Sequence, residues 1–262
     1  MPEILTYDFM QRALLAALLV GLAAPMVGVF LVQRRLSLIG DGMGHVALAG
    51  VAVGVITNKA PVLTALVFAV VAAVGIELVR ARGRTSGDVA LAVMFYGGIA
   101  LGVVVFGLSR SGAPSNLDSY LFGAITTTSP ADLVVFAVLA VVVVAVTWTL
   151  RPRLFAVAND EEYARATGMR VTALNITLAV LTAVTVVVAM RVVGLLLISA
   201  LMIVPNATSQ LISGSFGSAI RTAVMIGAVC SVGGVVTSFY ANTPSGGTIV
   251  LLAIALFLAA SS

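Results

Sequence analysis

The chain has 262 residues, of which 61% are hydrophobic and 9% charged, with a mean hydropathy of +1.17. Soluble domains carry about a quarter charged residues, so this composition excludes a soluble domain and describes an integral membrane protein. The formal net charge of +4 would suggest nucleic acid as a partner in a soluble chain; here it reflects loop arginines that set orientation in a bilayer, and no nucleic acid is expected.

Apolar runs of bilayer-spanning length occur about nine times: near 9–32, 36–57, 61–79, 89–108, 131–150, 171–190, 192–212, 222–240 and 247–260. The first is too long for a signal-peptide core, ends in Arg34-Arg35 and is followed by no cleavage-like site, so no leader is expected. Backbone groups in lipid must be satisfied within the chain, and long runs without strand-like alternation mean helices. The sixth and seventh runs are separated only by Arg191, so one of them is expected to be broken or re-entrant. The fold class is therefore all-α and polytopic, with eight to nine transmembrane helices in a single membrane domain over residues 1–262.

Arg34, Arg35, Arg80, Arg82, Arg84, Arg151, Arg153, Arg165, Arg170 and Arg221 fall in every second connection. The alternate connections hold only Lys59, Arg110 and Arg191. The positive-inside rule places the first group in the cytoplasm and the N-terminus outside, in the plasma (inner) membrane.

Two connections are long enough for structure of their own. The outer one, 109–130, centres on Asn116-Leu117-Asp118-Ser119-Tyr120-Leu121-Phe122-Gly123. The inner one, 152–170, contains Asn159-Asp160-Glu161-Glu162-Tyr163-Ala164-Arg165-Ala166-Thr167-Gly168, which reads as a short helix near 159–168. Asn159 or Asp160 can cap it, acids fill its first turn and Gly168 ends it. A charged, capped helix between two spans suggests a docking surface.

The second run holds the only histidine, His45, and four residues before it Asp41. Positions four apart share a helix face, and at 1.5 Å per residue the pair lies roughly 8 and 14 Å into a span that begins near Leu36. Asp41, His45, Leu48 and Ala52 form one stripe; Gly40, Gly44, Ala47, Val51 and Gly54 form a second, of mostly small residues that let helices approach closely. An ionisable residue inside a bilayer is by default a functional site. Imidazole nitrogen with carboxylate oxygen suits zinc, manganese or ferrous iron, and incomplete coordination suits an ion that must leave again. Two structural alternatives stand beside this: an internal Asp41–His45 hydrogen bond, and Asp41 as the cap of a helix that starts at Gly42.

Other polar positions read as structural. Glu77 reaches the interface with Arg80, Asp88 caps the fourth span, and Cys230, the single cysteine, excludes a multi-thiolate site. The glycines at 97, 98, 102, 233 and 234 read as packing features, and the scattered methionines as core fillers. No Gly-x4-Gly-Lys-Ser/Thr loop occurs, so any nucleotide hydrolysis must come from another chain, and no nucleophile–base pair marks an enzyme.

The order of these features resembles the membrane permeases of zinc/manganese-type ABC importers. Gly40-Asp41-Gly42-Met43-Gly44-His45-Val46-Ala47-Leu48-Ala49-Gly50 is similar to the family's Ser-Asp-Ala-x-Ser-His-Ala-x-Leu-Pro-Gly signature, with Gly44 for its second serine and Ala49 for its proline. Tyr120-Leu121-Phe122-Gly123 with Ile125 resembles its Leu-Phe-Gly-x-Ile element, and the 160–168 segment its coupling segment. Val193-Gly194-Leu195-Leu196 with the run to Thr208 resembles Val-Gly-x-Leu-Leu…Leu-Ile-x-Pro-Ala-Ala-Thr, with Asn206 for an alanine. Thr243-Pro244-Ser245-Gly246 resembles its Pro-Ser/Thr-Gly turn.

The resemblance implies a type II ABC importer permease fold and a homodimer. It also implies two ATP-binding subunits on the cytoplasmic side and an extracytoplasmic metal-binding protein that delivers the ion. Asp41 and His45 would meet the metal, zinc first and manganese second, as transported substrate; no cofactor is expected. Asp160, Glu161, Glu162, Tyr163, Ala164, Arg165 and Gly168 would couple to the ATPase. Asn206 is expected to satisfy backbone freed by Pro205 rather than to line the pathway. A secondary, ion-coupled metal transporter is the alternative; it would leave the charged inner helix without a task, and no second Asp-x3-His element marks a repeated half.

Overall fold

The computed structural model describes residues 7–82, 87–108, 117–123, 129–195 and 197–261, with the side chains of 87, 88 and 117–119 also outside it. The expected Asp88 cap, Arg84, Arg110 and Ile125 fall outside these. The described chain forms eleven helices: α1 Asp8–Gln33, α2 Ile39–Ile56, α3 Pro61–Ala81, α4 Gly87–Gly107, α5 Leu117–Phe122, α6 Pro130–Asn159, α7 Glu161–Ala166, α8 Val171–Val193, α9 Ile198–Ile212, α10 Phe216–Ala241 and α11 Ser245–Ser261. Seven are long and apolar enough to cross a membrane, and α9 and α11 are shorter apolar helices, in keeping with the expected eight to nine.

Local chemistry sets the boundaries. Ser129 and Asp132 form a reciprocal capping box with Pro130 at the first turn of α6, and Ser215 and Ser218 do the same for α10; each satisfies amides that a helix start leaves open. Asn242 closes α10 in the left-handed conformation. Arg35, at φ 57°, makes the corner between α1 and α2.

Three boundaries differ from expectation. Arg191 is not a connection: it lies in the last turn of α8, ion-paired with Asp132 at the start of α6, and the chain breaks instead at 194–197, leaving α9 with 15 residues. α6 runs through Pro152 to Asn159 rather than ending near 150, because Leu154 and Val157 bury themselves in the core; packing outweighs the hydrogen bond the proline removes. α10 begins at Phe216, whose ring meets Phe30 and Phe155, and so takes in Arg221.

α1, α2 and α8 have most of their length buried, whereas α4 and α6 expose rows of valine such as Val93, Val103, Val134, Val138 and Val141. Close approach at glycine holds the centre together. A Cβ on Gly28 of α1 would overlap the Met202 carbonyl oxygen of α9, and one on Gly21 would lie 2.8 Å from the Gly227 carbonyl of α10. Asn206, fully buried, donates from Nδ2 to the carbonyls of Pro25 (2.9 Å) and Met202 (2.7 Å). It therefore ties α9 to α1, rather than serving Leu201, the carbonyl four residues before Pro205 that proline leaves without an amide.

Candidate functional site

α2 starts at Ile39 with no side-chain cap, so Asp41 lies inside the first helical turn and is not the cap of a helix from Gly42. An acid there is favoured by the exposed amides of the helix start. Asp41 and His45 are half-buried, as is Leu48, while Gly42, Met43, Gly44, Val46 and Ala47 between them are buried. The expected stripe is real: one narrow line of α2 stays accessible on an otherwise enclosed helix, although Ala52 at its far end is buried.

The two side chains are held separately. The Asp41 carboxylate accepts a hydrogen bond from the Ser199 hydroxyl of α9, not the internal bond from His45 that stood as a structural alternative. The imidazole stands edge-on to Phe95 of α4, with ring centroids 4.5 Å apart and planes at 74°. Its Nδ1 is buried and has no hydrogen-bond partner, although buried polar atoms are ordinarily paired. α4 reaches α2 here because Gly98 brings the backbones together: a Cβ on it would lie 2.8 Å from the Val46 nitrogen. Gly97 faces open space and Gly102 makes ordinary contact, so of these three α4 glycines only Gly98 is a tight packing position.

The small stripe of α2 receives the α8–α9 break. A Cβ on Gly44 would lie 3.1 Å from a Leu195 methyl and 3.2 Å from its carbonyl oxygen, and one on Gly40 would lie 3.0 Å from Ser199. The break is fixed from behind by three motif glycines. Leu195 donates its amide to the Tyr120 carbonyl at 2.9 Å. Gly123 (φ 79°) and Gly194 (φ 92°) take the left-handed conformation that favours glycine. A Cβ on Gly123 would lie 2.8 Å from the Gly194 nitrogen, and one on Gly246 would lie 2.9 Å from the Phe122 carbonyl oxygen. The 120–123, 193–195 and 244–246 segments are thus one junction, and its product is the placement of Leu195 and Ser199 against α2. Ser199 was not legible as a site residue; its only signal is a hydroxyl just past Gly194 in an apolar run.

At the α7 end of the bundle, Asp160, not Asn159, caps α7, its carboxylate accepting the Tyr163 amide at 2.8 Å. The helix is six residues, Glu161–Ala166, shorter than the expected 159–168 because Asn159 belongs to α6, and Gly168 (φ 81°) turns the chain toward α8. Ala164 is fully buried, whereas Glu162, Tyr163, Arg165 and Ala166 face outward. Glu161 turns inward: its carboxylate pairs at 3.1 Å with Arg34 and at 3.1 Å with Arg165. Glu77 pairs with Arg80 at 2.6 Å, as expected, but with its side chain only 3% exposed. Burial pulls the Arg34 guanidinium below its ordinary value, opposed by Glu77 and Glu161 and reinforced by Arg80.

Among the described residues no group of three His, Cys, Asp or Glu side chains could hold a metal. The sequence profile of the ABC 3 transport family matches residues 6–262. The chain belongs to the ABC 3 transport family. A "Probable metal transport system membrane protein" of Treponema pallidum is 32% identical over 97% of this chain and 95% of its own. The "Manganese transport system membrane protein MntC" of Listeria monocytogenes is 29% identical over 98% of this chain and 91% of its own. The solved structure "PsaBC from Streptococcus pneumoniae in complex with Fab" superposes with a TM-score of 0.87 at 31% identity, covering 99% of this chain and 93% of that one. The fold is that of the type II ABC importer permeases, and within this ABC 3 family the chain is a transport component rather than an enzyme.

Proposed function

We propose that this ABC 3 family chain is the membrane-spanning subunit of an ATP-driven importer for a divalent transition metal, with manganese ahead of zinc and ferrous iron. The observation that carries this is that Asp41 and His45, one turn apart, are the two ionisable side chains on the one accessible line of the otherwise enclosed α2. Carboxylate and hydroxyl oxygen with a single imidazole is a harder donor set than structural zinc sites use, and it suits manganese. The names of the Treponema and Listeria relatives support the same class. Zinc, first in the sequence reading, has no relative among these to support it.

Two ligands are half a site. A homodimer would bring a second Asp41–His45 pair to face the first, giving up to four strong donors without closing the shell against release. ATP would be hydrolysed by two partner subunits docked on the exposed side of α7, at Glu162 and Tyr163, and an extracytoplasmic metal-binding protein would deliver the ion to the opposite face. In this reading α7 lies in the cytoplasm and the N-terminus outside. The ion-coupled alternative has no observation in its favour, and the ABC family match speaks against it.

The test is manganese uptake by proteoliposomes that hold the permease, its ATPase and its binding protein, with zinc and ferrous iron as competitors. Uptake should require ATP and be lost in Asp41→Asn and His45→Gln. Uptake that persists in both variants would remove the assigned site.

A further inference from the structure

Resting on the ATP-driven reading above, we infer that the Arg34–Glu161 ion pair is the strut that carries the motion of α7 to the α1–α2 corner, and so to Asp41 and His45. Glu161 and Arg34 are 127 residues apart in sequence and 3.1 Å apart in space. The Arg34 side chain is only 7% exposed and that of Glu161 37%, so the pair is shielded from solvent at its arginine end, unlike a pair lying wholly on the surface. Arg34 is the last residue before the corner: Arg35 takes φ 57°, α2 begins at Ile39, and Asp41 follows in its first turn. A pull on Arg34 therefore acts on the start of the helix that bears both ligands, within two turns of them.

The surroundings fit a moving joint rather than a packed core. α7 is six residues long and meets the bundle through one buried side chain, Ala164. Beside it lies a polar cavity of about 150 Å³ lined by Glu77, Arg80, Glu161, Arg165, Thr172 and Asn175, which leaves room next to α7 on its polar side. Glu161 is thus a positioning residue that acts through Arg34, distinct from the outward Glu162 and Tyr163.

The experiment measures manganese imported per ATP hydrolysed in the complete reconstituted transporter, for wild type, Arg34→Gln, Arg34→Lys, Glu161→Gln and the double variant Arg34→Gln/Glu161→Gln. The ratio is independent of how much ATPase each sample retains. Arg34→Gln and Glu161→Gln should each lower it about fivefold or more, the low end of allosteric couplings. Arg34→Lys should recover much of the loss, and the double variant should be no worse than either single, as expected for one interaction broken twice. Should Arg34→Gln not yield dispersed protein, Glu161→Gln, at a half-buried position, and Arg34→Lys, which keeps the charge, carry the test. Normal coupling in either single variant, or losses that multiply in the double, overturns the strut. If Glu161→Gln uncouples while Arg34→Gln does not, Glu161 acts on the ATPase alone and the inference also fails. A wild-type transporter in which ATP drives no manganese uptake would instead sink the transport reading on which it rests.

Discussion

Ser199 donates its hydroxyl to the Asp41 carboxylate across the α2–α9 contact, 158 residues away in sequence. This bond occupies one oxygen of the carboxylate, and in the proposed transport role the other oxygen would meet the ion. Ser199→Ala should therefore leave the fold in place and weaken the site. Hydrogen bonds to charged groups contribute about 1.5–3 kcal/mol, and the half-exposed carboxylate can recover part of that from water. A rise of roughly tenfold in the manganese concentration for half-maximal uptake, equivalent to about 1.4 kcal/mol, is the expected result. Unchanged concentration dependence would make the bond a packing feature only.

Glycine positions should separate sharply by what faces them. A Cβ on Gly28 would overlap the Met202 carbonyl, backbone that cannot swing aside, whereas one on Gly75 meets nothing within 4 Å. Gly28→Ala should cost about 3 kcal/mol or more, seen as lost thermal stability or lost expression in detergent. Gly75→Ala, in mid-helix α3, should be neutral or stabilising by up to about 1 kcal/mol.

Gly44→Ser, which restores the serine of the resembled signature, falls between these. The Leu195 methyl and carbonyl sit 3.1 and 3.2 Å from where its Cβ would be. Overpacking of this kind costs about 1–3 kcal/mol, and thermal denaturation of the purified protein measures it. A second effect is predicted on uptake, because moving Leu195 also moves Ser199 four residues on.

Asn206→Ala should be mild despite complete burial. Its amide bridges Pro25 and Met202, yet its Oδ1 is itself unpartnered, and side-chain hydrogen bonds within membrane bundles average about 0.6 kcal/mol. A stability loss near 1 kcal/mol is expected in chemical denaturation; a loss several times larger would mean that the α1–α9 tie is central to folding.

Glu162→Lys with Tyr163→Ala tests docking at α7 without touching the Arg34 pair, since Tyr163 is 64% exposed and Glu162 faces outward. The ATPase should no longer co-purify with the permease. Reversing Glu161 as well would confuse the result, because that carboxylate holds Arg34 and Arg165 inside the chain.

Much was determined by the sequence itself. The apolar runs set the helices, because lipid leaves the backbone no other partner. The lone Asp41–His45 pair set the candidate site, because ionisable groups in a bilayer are costly enough to be informative. The acids and glycine around 160–168 set a short capped helix. Tertiary structure alone decided what those residues meet. Nothing local in the chain says that Pro152 lies inside a helix, that Arg191 answers Asp132, or that Asp41 turns from His45 to Ser199. Nor does it say that Glu161 points at Arg34 rather than outward with Glu162. Each of these depends on contacts between segments far apart in the chain, and such contacts leave no periodicity to read.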